Sequence, residues 1–554
     1  MHSPERVGGT RDYLMAWMLL ALVLSAEPAN GCEVVVVCPP AMRSALVPWV
    51  EYRQGQGYRL RVIEPSGTAD EVLRQVRQAA SPASRFVVLV GDADAAGGAI
   101  GAGRESSCVP THYCKATVNV RFGSEPTLAT DGPYGDLDGD GAPDAAVGRF
   151  SADTAEQLRT IVEKTLVYER SGDLGPWRRT IHCVAGVGGF GRLLDGVLES
   201  SVQYFLTETV PPAYRVTMTY AAPGSPFCPP LDSFPQAAAA RFNEGGWFWV
   251  YMGHGRPEGL DWVRTPAGMR PILDRPQVAQ YRATAGAPLA VFLACYSGAF
   301  DADDCLGEEM LRAAGGPAAV IGASRVAMPY GMASLAVGLL DEVFVRQTPT
   351  VGEALLHARQ ALLQHDSADD PRRKLLDAIA AGLSPARDSL RTEREEHAAM
   401  FHLLGDPLLH LRHPLPLPLQ VAVDEAAPGS ELIIRGVAPC AGRLRLEAAP
   451  MRGRVPRDLK RRTTDGVRGG GNAGVVGPQS RGDLQQAVYE QVNASGRVVY
   501  DSSVAAGEFQ LVVPYRPGDD QWMIGFLQGD ARFAVGATRI GEQPRTATAP
   551  RLTR

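Results

Sequence analysis

The chain has 554 residues, too many for one hydrophobic core, so two to four domains are predicted. Its 45% apolar and 21% charged residues are typical of a soluble globular protein. A net charge of −6 excludes the strongly basic footprint of a general nucleic-acid binder, and no nucleic-acid partner is expected.

The N-terminal segment, residues 1–31, is predicted to be a signal peptide. An apolar run from Tyr13 to Ala26 follows Arg6 and Arg11, and it is too short to span a bilayer well. An uncleaved N-terminal anchor is the alternative. Either interpretation predicts a secreted or cell-envelope protein, and association with the cell surface is compatible with both.

Residues 32–172 are predicted to form an N-terminal α/β subdomain. Strands predicted at 33–37, 58–63 and 86–90 alternate with helices at 41–54 and 69–80, a pattern that favours a parallel sheet. A short strand near 145–149 and an amphipathic helix over 154–170 complete this region.

An acidic loop within this region has the spacing of a calcium loop. Asp136, Asp138, Asp140 and Asp144 stand at positions 1, 3, 5 and 9 of an EF-hand-type pattern, with Gly141 at position 6. Position 12 is Val147 and a strand follows, so the loop is not an EF-hand. We expect a structural Ca²⁺ held by these four carboxylates and completed by water or another carboxylate such as Asp131. The alternative is an acidic turn.

Residues 173–413 are predicted to form a second α/β subdomain, which carries the catalytic groups. It opens with a strand over 180–185 followed by Gly186, Gly188 and Gly191, a spacing that matches the dinucleotide-binding pattern. The next predicted strand, 214–220, ends in Ala-Ala-Pro rather than in the acid that binds ribose. No dinucleotide and no organic cofactor are therefore expected, and a nucleotide-dependent enzyme stays an alternative.

Two apolar strands in this subdomain each end in a reactive side chain. Residues 247–253 lead into His254 and Gly255, and residues 289–294 lead into Cys295. Ligands of open parallel sheets lie beyond the carboxyl ends of the strands. If the two strands are neighbours, an imidazole and a thiol share one crevice, where the imidazole can favour the nucleophilic thiolate.

These strand ends, in this order, resemble the gingipain family of caspase-like cysteine peptidases. Four further stretches agree with the family, and the resemblance covers residues 33–411: Leu89–Asp92, Asp131–Phe150, Gly316–Gly322 and Leu404–Pro407. The resemblance implies a caspase-like α/β fold in two subdomains and a protein or peptide substrate.

The resemblance also implies roles for individual residues. Cys295 would attack the peptide carbonyl, His254 would activate the thiol and protonate the leaving amine, and the main chain at Gly255 and Cys295 would bind the oxyanion. Specificity for a basic P1 residue is compatible with it. Glu258 and Asp261 either shape the S1 pocket or are solvated loop charges, and no third catalytic residue is identified.

Two other functions stay open on the same residues. A sortase-like transpeptidase would use the same dyad and pass the acyl group to an amine instead of water. A catalytically inactive cell-surface binding protein would keep the fold without the chemistry, although the presence of both His254 and Cys295 favours an enzyme.

The C-terminal part changes to short strands of alternating polarity. Residues 414–418 are predicted to be a stiff linker, and residues 419–554 an all-β, immunoglobulin-like sandwich such as gingipain-like proteins carry. One of its strands is predicted over 487–492, and residues 451–483 are predicted to be a mobile loop because they are basic and rich in glycine.

Overall fold

The computed structural model describes residues 31–93, 107–188, 209–364, 371–424, 430–452, 478–515 and 520–541. The predicted signal peptide, the last glycine of the dinucleotide-like pattern and most of the predicted mobile loop lie outside these ranges. No helix within them combines the length and the apolar character needed to cross a bilayer.

The first α/β region alternates strands and helices as its sequence predicts. The helices Ala69–Ala79 and Ala155–Arg170 begin at capping boxes, Thr68 with Glu71 and Thr154 with Gln157, which satisfy the first free N–H groups of each helix. The elements are β1 (Glu33–Val37), α1 (Arg43–Gly55), β2 (Arg59–Ile63), α2 (Ala69–Ala79), β3 (Ser84–Val90), β4 (His112–Lys115), β5 (Thr127–Thr130), β6 (Ala146–Phe150) and α3 (Ala155–Arg170).

The second α/β region supplies the larger share of the central sheet. Its elements are β7 (Thr180–Ala185), β8 (Arg215–Tyr220), α4 (Phe234–Asn243), β9 (Phe248–Met252), β10 (Gly255–Arg256), β11 (Gly259–Leu260), β12 (Trp262–Thr265), β13 (Gly268–Pro271), β14 (Leu289–Leu293), α5 (Leu306–Arg312), β15 (Ala319–Ala323), α6 (Pro329–Phe344), α7 (Val351–Leu363), α8 (Pro371–Leu383), α9 (Leu390–Met400) and β16 (Phe401–Leu404). The helices α8 and α9 were not predicted from the sequence.

The two regions share one ten-stranded sheet in the order β2-β1-β3-β6-β16-β15-β14-β9-β7-β8. Each half is parallel, as predicted, but β16 runs antiparallel to β15, so the sheet as a whole is mixed, which the sequence did not predict. The reason is that a strand buried on both faces has the same apolar sequence in either direction. The four helices between β15 and β16 decide the direction in which the chain returns.

Two further sheets form the C-terminal region around one core. Its elements are β17 (Leu415–Pro416), β18 (Leu419–Asp424), β19 (Glu431–Ala438), β20 (Gly442–Pro450), α10 (Pro478–Val492), β21 (Arg497–Val504), β22 (Gly507–Pro514), β23 (Asp520–Gln528) and β24 (Phe533–Arg539). The sheets β18-β19-β22 and β17-β24-β23-β20-β21 pack through side chains such as Ile434 and Leu446. An immunoglobulin-like connectivity stays a prediction.

The structure corrects two details of this region. Residues 415–416 of the predicted linker form β17, which pairs with β24. The predicted strand at 487–492 and the end of the predicted loop at 478–483 are helical and belong to α10. Val488 and Tyr489 of this helix are buried, and the Tyr489 hydroxyl lies 2.7 Å from Thr219 Oγ1 on β8. Contact with the catalytic sheet thus favours a helix where the local sequence predicted a strand.

The side chain of Asn493, just after α10, pairs with the free edge of the central sheet at one residue. Its Oδ1 accepts from the Met218 N–H at 2.7 Å, and its Nδ2 donates to the Met218 carbonyl at 2.9 Å. Because β8 is an edge strand of the sheet, this amide takes the place of a neighbouring strand at one residue.

Candidate active site

The strands that precede His254 and Cys295 are parallel neighbours. β9 pairs with β14 from Phe248 opposite Leu289 to Met252 opposite Leu293. The pairing continues past the strands, where the Gly253 N–H donates to the Leu293 carbonyl at 3.2 Å. The two chain segments therefore leave the sheet together, and His254 and Cys295 line one cavity.

Main-chain amides surround the Cys295 thiol. Sγ accepts a hydrogen bond from the Ala327 N–H at 3.2 Å and lies 3.6 Å from the Ala327 carbonyl. Burial raises the pKa of the Cys295 thiol above its ordinary value, and the N–H groups of Ala327, Cys295 and Gly255 partly offset this rise. The thiol thus has hydrogen-bond donors ready for a negative charge.

The residue after Cys295 is held in an unfavourable backbone conformation. Tyr296 has φ = 54°, in the left-handed region that side chains with a Cβ rarely adopt. Its N–H donates to the Arg325 carbonyl at 3.1 Å, and its hydroxyl donates to Glu125 at 3.0 Å. Such strain persists only where the surroundings enforce it. Here it turns the chain sharply after Cys295.

The segment after β9 is fixed from two sides while the His254 side chain stays exposed. The buried Tyr251 hydroxyl donates to the His254 carbonyl at 3.1 Å. A Cβ on Gly255 would lie 2.3 Å from the Cys295 carbonyl oxygen, so only glycine permits this approach. The close contact brings the main chain of the His254 segment onto the main chain of the Cys295 segment.

Sequence reasoning missed Ala327, because a backbone amide leaves no residue signature. Two elements distant in sequence hold the loop that carries it. Asn119 donates to the Val326 carbonyl at 2.7 Å, and the His397 Nε2 accepts from the Met328 N–H at 2.8 Å. Burial lowers the pKa of His397 to about 4, so the imidazole is neutral and can accept this hydrogen bond.

Three of the four predicted calcium ligands come together in the acidic loop. Asp136, Asp138 and Asp144 each offer a carboxylate oxygen, and these oxygens lie within 4.8 Å of one another. Asp140 is outside this group, and its Oδ1 accepts from the Ala142 N–H at 2.7 Å. The position-9 residue, Asp144, also accepts from the Leu137 N–H at 2.9 Å.

Two cationic side chains change the expected charge balance of the acidic loop. Arg77 from α2 donates to Asp136 Oδ2 at 2.8 Å. Asp131, considered above as a further ligand, is buried against Arg149, with Oδ1 2.7 Å from the guanidinium, and also accepts from the Thr111 hydroxyl. Asp131 is therefore bound elsewhere, and the expectation that it completes the calcium site is wrong.

The two acidic residues that follow His254 differ in exposure. Glu258 is exposed, and its nearest partner is Arg256 at 3.8 Å. Asp261 is partly buried and accepts a hydrogen bond from the Val187 N–H at 3.0 Å, so it is not a solvated loop charge. Gly186 and Gly188 follow β7 as predicted, whereas Gly191 lies outside the described residues.

Comparison with known proteins identifies relatives of this arrangement. The model of peptidase family C25 matches residues 27–412. The chain is similar to Lys-gingipain of Porphyromonas gingivalis, with 26% identity over 296 residues, which are 50% of this chain and 15% of that protein. Lys-gingipain HG66 of the same organism is 26% identical over 238 residues, 40% of this chain and 12% of its own length. These matches therefore span only a small part of the curated relatives.

The fold is similar to that of a solved cysteine proteinase. The crystal structure of the Arg-specific cysteine proteinase gingipain R superposes with a TM-score of 0.51 at 16% sequence identity. The superposition covers 93% of this chain and 99% of that one. At this identity the likeness establishes the fold, and the α/β architecture predicted for residues 32–413 agrees with it.

Proposed function

The chain belongs to peptidase family C25, the family of the gingipain cysteine peptidases, and from this premise we propose an exported endopeptidase that works through a thioacyl-enzyme. The observation that carries the proposal is the parallel pairing of β9 with β14, which brings His254 and Cys295 to one cavity. Export rests on the apolar segment Tyr13–Ala26 behind two arginines.

In the proposed first step, Cys295 Sγ attacks the carbonyl carbon of the scissile peptide bond. The thiol proton passes to the His254 imidazole, which then protonates the leaving amine as the C–N bond breaks. The N–H groups of Gly255 and Cys295, which already lower the pKa of the thiol, are the proposed donors to the oxyanion. The same donors stabilise negative charge first on sulfur and then on oxygen.

In the proposed second step, water attacks the thioester carbonyl, and His254 takes a proton from that water. The C–S bond breaks, the peptide acid leaves, and His254 returns the proton to Cys295 Sγ. A transpeptidase would differ only in the acceptor, because an amine reacts with the same thioester. We propose hydrolysis rather than transpeptidation, because the chain belongs to a family of peptidases.

Labelling with a thiol-reactive peptide probe tests this mechanism directly. The purified chain should gain one probe mass at Cys295, and the probe should suppress cleavage of a protein substrate. We expect free carboxyl termini as products even when a primary amine is added as acceptor. Amide products in their place would favour the transpeptidase, and modification at any other cysteine would contradict the assignment.

We also propose a structural Ca²⁺ in the acidic loop, held by Asp136, Asp138 and Asp144. The three carboxylates lie close together, and Arg77 neutralises only part of their charge. The hard oxygen ligands suit calcium, and water would fill the remaining positions. The ion would fix the loop that leads into β6 of the central sheet.

A chelator should lower the melting temperature of the parent protein if this ion binds. At free calcium of 100 times Kd, the gain by mass action is about 2.7 kcal/mol. Asp138→Ala should remove the response to calcium, whereas Asp140→Ala should keep it because Asp140 lies outside the group. Differential scanning calorimetry with EDTA and with added Ca²⁺ measures both. An unchanged melting temperature in the parent would mean that the loop is only an acidic turn.

A further inference from the structure

Asp261 faces His254 across the small hairpin that follows the catalytic strand. In this antiparallel hairpin Gly255 pairs with Leu260 and Arg256 with Gly259. Continued by one residue, the same register would set His254 opposite Asp261. Directly opposed residues of antiparallel strands have Cβ atoms about 4.5–5.5 Å apart, so the hairpin returns a carboxylate to the imidazole.

The Asp261 carboxylate is held in a fixed position. Its Oδ2 accepts from the Val187 N–H at 3.0 Å. A Cβ on Gly186 would lie 2.6 Å from the same oxygen, so glycine is required for the loop after β7 to approach this closely. Within the described part of this loop, residues 186–188, no acidic residue is present.

A buried tyrosine couples the Asp261 segment to the His254 segment. The Asp261 N–H donates to the Tyr251 hydroxyl at 3.3 Å, and that hydroxyl donates to the His254 carbonyl at 3.1 Å. The backbone of Asp261 is fixed from the other side as well, because its carbonyl accepts from the Ile272 N–H at 2.8 Å. Neither segment can shift without breaking these hydrogen bonds.

The electrostatics of the carboxylate agree with this geometry. Burial raises the pKa of Asp261, and the neighbouring His254 charge is the largest influence that lowers it. Titratable or charged groups near this pair include Tyr251 on β9, Cys295 and Tyr296 after β14, and Arg256 and Glu258 in the hairpin. Of the two acids in the hairpin segment, only Asp261 is partly enclosed.

We propose that Asp261 is the positioning residue for His254, orienting the imidazole toward Cys295 and stabilising the imidazolium that forms when the thiol loses its proton. This inference rests on the proposed cysteine peptidase function. The proton moves from Cys295 Sγ to His254, while Asp261 stays ionised throughout. A negative charge beside an imidazole favours its protonated form, so Asp261 favours the thiolate–imidazolium pair over the neutral pair.

The pH dependence of Cys295 alkylation by iodoacetamide tests this role independently of peptide hydrolysis. In Asp261→Asn the thiolate–imidazolium pair forms less readily, so the pH at which the alkylation rate rises should increase by about one unit. For the same reason, kcat/KM near pH 7 should fall about tenfold or more. Glu258→Gln removes the same charge from the same hairpin, and both quantities should stay at the parent values. Intact-mass analysis with peptide mapping follows the reaction at Cys295.

Two outcomes separate this inference from the proposed function. A shifted alkylation profile in a protein that cleaves no peptide would retain the positioning role and overturn the peptidase. An unshifted profile in Asp261→Asn, or equal shifts in both variants, would overturn the positioning role whatever the peptidase activity. If Asp261→Asn melts below the assay temperature, Asp261→Ser serves instead, since its hydroxyl can still accept the Val187 N–H.

Discussion

Replacing Cys295 with alanine should abolish peptide hydrolysis, with a loss of at least about 10⁴-fold in kcat. The substitution removes the proposed nucleophile. The melting temperature should change little, because the substitution removes one partly exposed sulfur and its hydrogen bond to the Ala327 N–H. Turnover of a quenched fluorescent protein substrate, beside a thermal scan, measures both.

Two companion variants sharpen this test. Cys114→Ala is the matched control, since Cys114 is also a free, partly buried cysteine but lies on β4, away from the cavity, and its activity should stay at the parent level. His254→Ala should be nearly as inactive as Cys295→Ala, and the double variant little worse than either, because members of one catalytic unit are not additive. Full activity in Cys295→Ala would remove the basis of the proposed mechanism.

Replacing Asp406 with alanine should destabilise the protein by about 3–5 kcal/mol, the cost of breaking a buried ion pair by removing one partner. Asp406 is fully buried between Trp49, whose Nε1 donates to it at 2.5 Å, and Arg53, at 2.6 Å. Its loss leaves the buried Arg53 guanidinium with Glu169, 3.1 Å away, as its remaining acidic partner. Chemical denaturation of the parent and the variant measures the difference.

An exposed ion pair provides the control for this variant. Arg43 and Glu64 lie 3.1 Å apart with about half of each side chain exposed, so Glu64→Ala should cost no more than about 1 kcal/mol. Equal losses in Glu64→Ala and Asp406→Ala would contradict the structural role of the buried cluster.

The same cluster should make stability depend on acid pH. Burial alone would raise the pKa of Glu169, but hydrogen bonds from His410 and the charge of Arg53 outweigh it and lower the pKa from 4.5 to about 2. A carboxyl group whose pKa is lower in the folded than in the unfolded state stabilises the fold fully at pH values above its unfolded pKa. It contributes nothing at pH values below its folded pKa. This contribution should thus be complete above pH 4.5 and lost as the pH falls toward 2.

Local sequence was sufficient for the elements that carry the candidate site. The apolar runs before His254 and Cys295 are buried strands because they contain almost no charge and end in small residues. The α/β alternation of the first region followed from the same signal together with capping residues at the helix starts. The shared resemblance of these stretches to the gingipain family was also visible in the chain, and the family comparison confirms it.

Local sequence was misleading where long-range contact decides the outcome. The direction of β16, the helix α10 and the partners of Asp131 each depend on residues far away in the chain. The motif Leu404–Pro407 was recognised without a role, and the structure gives Asp406 one through Trp49 and Arg53 in α1, more than three hundred residues earlier in the chain.

The sequence by itself determined which side chains could be reactive and that they end strands, because strand burial and residue chemistry are local properties. Only the tertiary structure decided that β9 and β14 are neighbours, that the Ala327 N–H reaches the Cys295 thiol, and that the hairpin after β9 pairs Gly255 with Leu260. These features depend on contacts between backbone atoms and on which residues pair across strands. Neither produces a distinctive pattern of residue types in the sequence. The candidate catalytic pair was therefore predictable from residue types, whereas the groups around it required the fold.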